Sequence, residues 1–183
     1  MGETSGKRGG RTDEILDVAE ARVRKGGFDA VSFRDIAEAV GIRSASVHYH
    51  FPQKSDLGRA MVARYAERFL EGLGAPDNPD ESAGARLSRL SEAYRGALRA
   101  EGTSCLCAVL GSVSSELPPS VGAEVAAFYE RLLGWTETAL GSVPEADARL
   151  VIGQLQGAMT LAVALATPEI LDAAAADLAR RFG

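Results

Sequence analysis

Apolar residues recur at helical spacing along most of the chain, and no stretch shows the period-two alternation of a strand. Leu16, Ala19 and Val23 predict a first helix that opens at Thr12, with Asp13 and Glu14 suiting its positive end. Gly26-Gly27 ends it, and Phe28 begins the return to the core. Phe33, Ile36, Ala37 and Val40 share one face of a short second helix, capped by Ser32 with Asp35 three residues on. Gly41 stops that helix, because glycine takes a left-handed conformation without steric cost. Ser44 can cap a third helix, whose inward residues Val47 and Phe51 lie four apart. Pro52 cannot continue it but tolerates the first turn of the next.

The remaining helices are longer. Leu57, Met61, Tyr65 and Phe69 mark a fourth, over about 53–71, long enough to leave the small bundle. Residues 72–85 are rich in Gly, Pro, Asn and Asp and form the clearest loop. A fifth helix over 85–100 presents Leu87, Leu90, Tyr94 and Ala97, and a sixth over 104–117 ends at Pro118-Pro119. Val121, Val125, Phe128, Leu132, Trp135 and Ala139 define a seventh over 120–140, spaced to pack lengthwise against others. The eighth, over 145–166, is apolar on more than one side and is therefore expected to be buried nearly all round. Pro168 opens the last, to about Arg181. The pattern predicts an all-α protein of about nine helices. A three-helix bundle containing a helix-turn-helix, residues 12–56, precedes a larger helical domain, residues 57–183. Residues 1–11, with Lys7, Arg8 and Arg11, read either as a flexible basic tail or as an arm laid along phosphates.

The third helix is apolar behind, with small polar and aromatic groups in front, which suits a helix lying in a DNA major groove. Ser44, Ser46 and His48 are placed to approach base edges, and Arg43 to reach guanine or a phosphate. Tyr49 and Lys54 carry donors for phosphate oxygens, and Arg34 adds charge nearby. His50 abuts Phe51 and reads equally as a DNA contact or as a cap on the small core.

The net charge of −5 argues against a DNA binder until the chain is divided. Residues 1–59 hold ten Lys/Arg and nine Asp/Glu, 10 − 9 = +1; residues 60–183 hold ten and sixteen, 10 − 16 = −6. Non-specific affinity should therefore be modest and strongly dependent on salt. Enzyme chemistry finds no support. The two histidines, His48 and His50, both lie in the third helix. Gly111-Ser112-Val113-Ser114-Ser115 lacks the second glycine of a nucleophile elbow. There is no metal-ligand cluster and no phosphate-cradling glycine loop, so no catalytic residue, metal or cofactor is expected. No stretch is apolar enough to span a bilayer, and the opening residues have neither an apolar core nor a myristoylation pattern, so a cytoplasmic protein is expected. Cys105 and Cys107 lie two apart on a predicted helix and point to nearly opposite sides. They read as small buried hydrophobes. Alternatively, with Ser104 as cap, Cys105 sits in a first turn where the helix dipole lowers a thiol's pKa.

Phe33-Arg34-Asp35-Ile36-Ala37, then Val40-Gly41-Ile42, then Ser46-Val47-His48-Tyr49-His50-Phe51, then Lys54 and Leu57 form one ungapped motif. It resembles the DNA-binding domain of the TetR family of bacterial transcriptional regulators and covers roughly the first third of the chain. His48 stands where many relatives carry tyrosine. The resemblance implies that the positions of Tyr49 and Lys54 hold phosphates. It implies a homodimer through residues about 145–182, paired as a four-helix bundle. Gly153, Gly157, Ala162, Ala166 and the alanines at 173–176 fit that role, because small residues admit a close helix. Two reading helices would then reach successive major grooves of a palindromic operator, about 34–36 Å apart. It also implies a small apolar effector in the C-terminal ligand-binding and dimerisation domain, shifting the fourth helix. Candidates to line its cavity are Tyr94, Cys105, Phe128, Tyr129, Trp135, Gln154 and Met159, which otherwise read as plain core. The expected function is a ligand-released homodimeric repressor. The alternatives are a repressor sensing oxidants or electrophiles through Cys105, as some members of the family do, and an architectural DNA binder without effector. A sizeable cavity would speak against the last.

Overall fold

The computed structural model describes residues 5–101, 103–143 and 146–183, and of residues 5–9, 100 and 101 the backbone alone. Among the described residues the chain is helical, with no strand. The order is α1 (Ser5–Gly26), α2 (Phe33–Val40), α3 (Ser44–His50), α4 (Lys54–Leu73), α5 (Ala83–Glu101), α6 (Leu106–Gly111), α7 (Pro119–Leu140), α8 (Ala148–Ala164) and α9 (Glu169–Phe182). Single 3-10 turns at Phe28–Ala30 and Ser114–Glu116 lie between them.

Four helices are bounded differently from the expectation. Helix α1 begins at Ser5, not at Thr12, because a helix anchored by packing propagates one bond per residue into a polar segment. Residues 1–4 of the expected tail lie outside the described residues. Arg43, not Ser44, takes the capping position of α3; the Ser46 N–H already reaches the Arg43 carbonyl at 2.8 Å. Cys105, not Ser104, precedes α6, with extended backbone and its N–H donating to Met159 Sδ at 3.2 Å. That helix is short and gives way to the 3-10 turn instead of running to Leu117. Helix α8 starts at Ala148, where the Asp147 carboxylate accepts the Arg149 N–H at 2.8 Å. The expected break at Pro144 and start at Glu145 lie outside the described residues.

Helices α1 to α3 close on Ile15, Leu16, Ala19, Val23, Ile36, Val47 and Phe51. Helix α4 leaves this bundle and runs along α7, burying Leu57, Met61, Val62, Tyr65 and Leu73. Gly58 makes that crossing possible: a Cβ there would lie 2.6 Å from the Phe28 ring and 2.8 Å from Val121. Helix α9 packs against α5 and α8. One apolar cluster extends from Ile15 to Leu178, so the small bundle, marginal alone, shares its core with the larger domain. No helix among the described residues is long and apolar enough to cross a membrane.

Candidate nucleic-acid interface and effector clefts

The turn between α2 and α3 is fixed by short-range bonds. Ser32 Oγ accepts the Asp35 N–H at 3.2 Å and donates to the Asp35 carboxylate at 2.6 Å. Gly41 adopts φ 72°, ψ 36°, and the Ile42 N–H returns to the Ala37 carbonyl at 2.9 Å. With Val47 and Phe51 buried, the opposite side of α3 faces outward. It carries Arg43, Ala45, His48 and Tyr49, with Ser44 and Ser46 half-buried at its flanks. Tyr49 is 70% exposed. The His48 ring meets Phe33 edge-on at 4.5 Å, which fixes the direction in which it points.

Three sequence candidates sit differently. His50 is half-buried, with Nδ1 3.2 Å from the Thr12 hydroxyl, so it fastens α3 to α1. Arg34 projects from α2 into solvent, its Nε 3.9 Å from the Asp35 carboxylate. Lys54 Nζ lies 4.7 Å from the Phe28 ring centroid and 3.7 Å from the Asp29 carboxylate, at the foot of α4. Its ammonium is therefore held at the rim of the reading face.

Helix α1 connects this face to the rest of the molecule. Arg64 of α4 donates to Asp17 at 2.6 Å, and Arg68 of α4 donates to the buried Glu20. The buried Arg24 donates to the carbonyls of Ala97 in α5 at 2.7 Å and of Ser104, between α5 and α6, at 3.0 Å. Sequence reasoning missed this set, since none of its members stands out by spacing.

Aromatic rings pack through the middle of the larger domain. Tyr65, Phe69, Tyr94, Phe128 and Tyr129 interlock with ring centroids 5.2 to 5.9 Å apart. Of the expected cavity residues, Tyr94, Phe128 and Met159 are fully buried among these and the neighbouring helices. Trp135 is buried and donates to the Gly74 carbonyl at 2.8 Å. Gln154 turns to α9, donating to Asp177 at 3.0 Å and to the Ala174 carbonyl at 3.3 Å. Cys105 is 1% exposed and accepts the Tyr65 hydroxyl at 3.0 Å. Hydrogen bonds to its sulfur from Cys107 and Tyr65 outweigh burial and hold its thiol down to about 7, while burial pushes the Tyr65 hydroxyl well up. Tyr65 is thus the donor.

Two clefts flank the aromatic cluster. One, of about 620 Å³, lies between α1, α4 and α5 and reaches Tyr65 and Phe69. The other, of about 690 Å³, lies between α6, α7 and α8 and is lined by Val125, Tyr129, Ile152, Gln156 and Thr160. Tyr129 is the one expected cavity residue that lines either. Gln156, two positions from the expected Gln154 and so on another side of α8, replaces it in that lining. Its Nε2 is buried without a hydrogen-bond partner among the described residues.

Helix α8 is not buried all round. Leu150, Leu161 and Leu165 are 65%, 53% and 62% exposed. Gly153 and Gly157 share that side, and nothing lies within 4 Å of a Cβ added at either. One side of α8 packs on its own chain; the other is left apolar and open.

Residues 15–61 match the family model of bacterial regulatory proteins, tetR family. The HTH-type transcriptional repressor KstR2 of Rhodococcus jostii is 42% identical over 71 residues, 39% of this chain and 32% of that protein. The biofilm operon icaADBC negative transcriptional regulator IcaR of Staphylococcus epidermidis is 31% identical over 61 residues, 33% of each. The matched part spans about a third of the length of these relatives. Likeness of fold extends further. A TetR transcriptional regulator from Legionella pneumophila superposes with a TM-score of 0.87 at 27% identity, covering 100% of both chains. A TetR-family regulator from Agrobacterium tumefaciens gives 0.86 at 28%, covering 95% of this chain and 98% of that one.

Proposed function

The chain belongs to the TetR family of regulators, and from that premise we propose that it is a homodimeric, sequence-specific repressor released from its operator by a small molecule. The observation that carries the proposal is the outward side of α3, held rigid by Val47, Phe51 and the left-handed Gly41 and bearing Arg43, His48 and Tyr49. In this reading residues 12–56 bind DNA and residues 57–183 bind the effector and the second subunit. Ser44, Ser46 and His48 read base edges, and Arg43 reaches guanine or phosphate. Tyr49, Lys54 and Arg34 hold phosphates, and His50 keeps α3 on α1.

The second subunit docks on the open side of α8 together with α9. Leu150, Leu161 and Leu165 supply the apolar area, and Gly153 and Gly157 permit close approach. The functions of the relatives, repression and negative regulation, agree with this role. The two clefts favour an effector over a purely architectural protein. The burial of Cys105 weighs against the thiol as the primary sensor, because oxidants and electrophiles need access to sulfur.

The test is a footprint on the DNA adjoining the protein's own gene, at low and physiological salt, with sedimentation of the same sample. Two protected half-sites about 34–36 Å apart and a dimer are expected. A strictly monomeric protein, or no protection at low salt, would sink the reading.

A further inference from the structure

The two clefts differ in charge. The one between α6, α7 and α8 carries a single cation, Arg149, whose guanidinium is held by Asp147 at 3.0 and 3.1 Å. The one between α1, α4 and α5 carries Arg24, Arg68 and Arg89 against one carboxylate, Glu92. Glu92 is itself bound by two further arginines, Arg95 at 2.6 Å and Arg99 at 3.0 Å. Two of the three lining arginines, Arg68 and Arg89, lie in the acidic part of the chain, where residues 60–183 carry 10 − 16 = −6, and each already has a carboxylate outside the lining, Glu20 for Arg68 and Glu81 for Arg89. Arg89 donates through its two Nη groups to Glu81 and the Ala75 carbonyl, but its buried Nε has no hydrogen-bond partner among the described residues. Phe69 and Ala93, both half-buried, supply an apolar wall beside these guanidinium groups.

We propose that this cleft binds a small amphipathic anion, an apolar body ending in a carboxylate, with the body against Phe69 and Ala93 and the head among Arg24, Arg68 and Arg89. The inference rests on the effector-released reading above and names the effector's site and class. The volume of about 620 Å³ suits a small organic molecule. Guanidinium groups favour carboxylates because the two planar forks match. The same arginines fasten α1: Arg68 to Glu20, and Arg24 to the carbonyls of Ala97 and Ser104. A carboxylate seated there competes with Glu20 for Arg68. Since α1 also carries Thr12, the partner of His50, the loosening reaches the reading helix.

Calorimetric titration of the full-length protein with decanoate and with decanol tests this. Trp135 adds a second readout. It is the only tryptophan in the chain and lies 6.0 Å from the Arg89 guanidinium. Saturable decanoate binding with a change in tryptophan emission is expected, and decanol should bind about tenfold more weakly or worse. Gly72→Glu places a carboxylate in the cleft at an open helical position, with nothing within 4 Å of the added Cβ. It should weaken decanoate about tenfold at an unchanged melting temperature. Ala126→Glu, in the other cleft, should leave decanoate affinity as it is. Arg89→Gln serves as the second variant should Gly72→Glu fold poorly, with the same loss expected. No decanoate binding, equal binding of decanol, indifference to the cleft variants, or loss on Ala126→Glu overturns the proposal. Operator release is measured apart from binding. Decanoate held in the cleft without release keeps the site and sinks the effector-released reading; release by a neutral compound without decanoate binding does the reverse.

Discussion

Helices α3 and α8 each present one side to solvent, and the two sides differ in kind. That of α3 is short and carries Arg43, His48 and Tyr49, side chains with hydrogen-bond donors. That of α8 carries Leu150, Leu161 and Leu165 around two glycines, with no donor among those five side chains. A polar aromatic side exchanges water for phosphate and base edges at small cost, whereas an aliphatic side gains by leaving water altogether. The first suits a grooved polyanion and the second a copy of itself. In the proposed reading both are needed together, because a reading helix of seven residues touches few base pairs. Two copies at fixed spacing convert weak contacts into one firm one.

The comparison breaks most visibly at α8. Leu161→Glu places a charge in the middle of the open aliphatic side. It should yield monomers in sedimentation and reduce operator affinity roughly a hundredfold or more, through lost avidity. A monomeric variant that binds the operator as tightly as the parent protein would show that the two sides work independently. The thermal stability of the monomer should hardly change, since Leu161 is half-exposed within its own chain.

Glycine separates the two helices further. Gly41→Ala forces a side chain into φ 72° and should cost about 1–2 kcal/mol of stability in urea titration. Gly157→Ala enters a helical position with open space around it. It should stabilise the isolated fold by about 0.5–1 kcal/mol while weakening the dimer. Equal effects of the two substitutions on folding would remove the distinction between a conformational glycine and a contact glycine.

Lys54→Ala sharpens the account of α3. The ammonium is held near Asp29 and Phe28 at the edge of the reading face, and in the proposed reading it meets phosphate and no base. Affinity should fall about threefold to tenfold for every DNA sequence alike, and the salt slope should drop by about one. A changed base preference in a binding-site selection would mean that Lys54 enters the groove.

The same contrast explains what could be read in advance. The α2–α3 segment was legible because local rules decide it: Ser32 and Asp35 cap, Gly41 turns, Val47 and Phe51 anchor. Two of the boundaries that differ are set by distant partners. Cys105 is drawn out of α6 by the Met159 sulfur, and α1 winds on past Thr12 once α4 anchors it. The expected cavity residues met a similar limit. Aromatic residues at helical spacing fill a core or line a pocket with the same periodicity. In this fold Tyr94 and Phe128 fill, while the clefts open on either side of them. Which arginine pairs with which carboxylate depends on the crossing of α1, α4 and α5, and spacing along one helix carries no trace of that. The open side of α8 is not legible in the sequence, because an apolar helix looks the same whether its cover is its own chain or another.

The smallest effect concerns the side-chain hydrogen bond between α3 and α1. Thr12 and His50 are 38 positions apart and meet at 3.2 Å, half-buried. A neutral hydrogen bond of this kind contributes about 0.5–1.5 kcal/mol net. In a double-mutant cycle of Thr12→Val and His50→Ala, the coupling measured by urea unfolding should fall in that range. The operator affinities of the same four proteins carry the more telling comparison. If His50 acts by holding α3 on α1, Thr12→Val lowers affinity nearly as much as His50→Ala, and the double variant loses little more. If His50 contacts DNA directly, His50→Ala costs affinity that Thr12→Val leaves untouched, and the ring belongs with Tyr49 on the reading side.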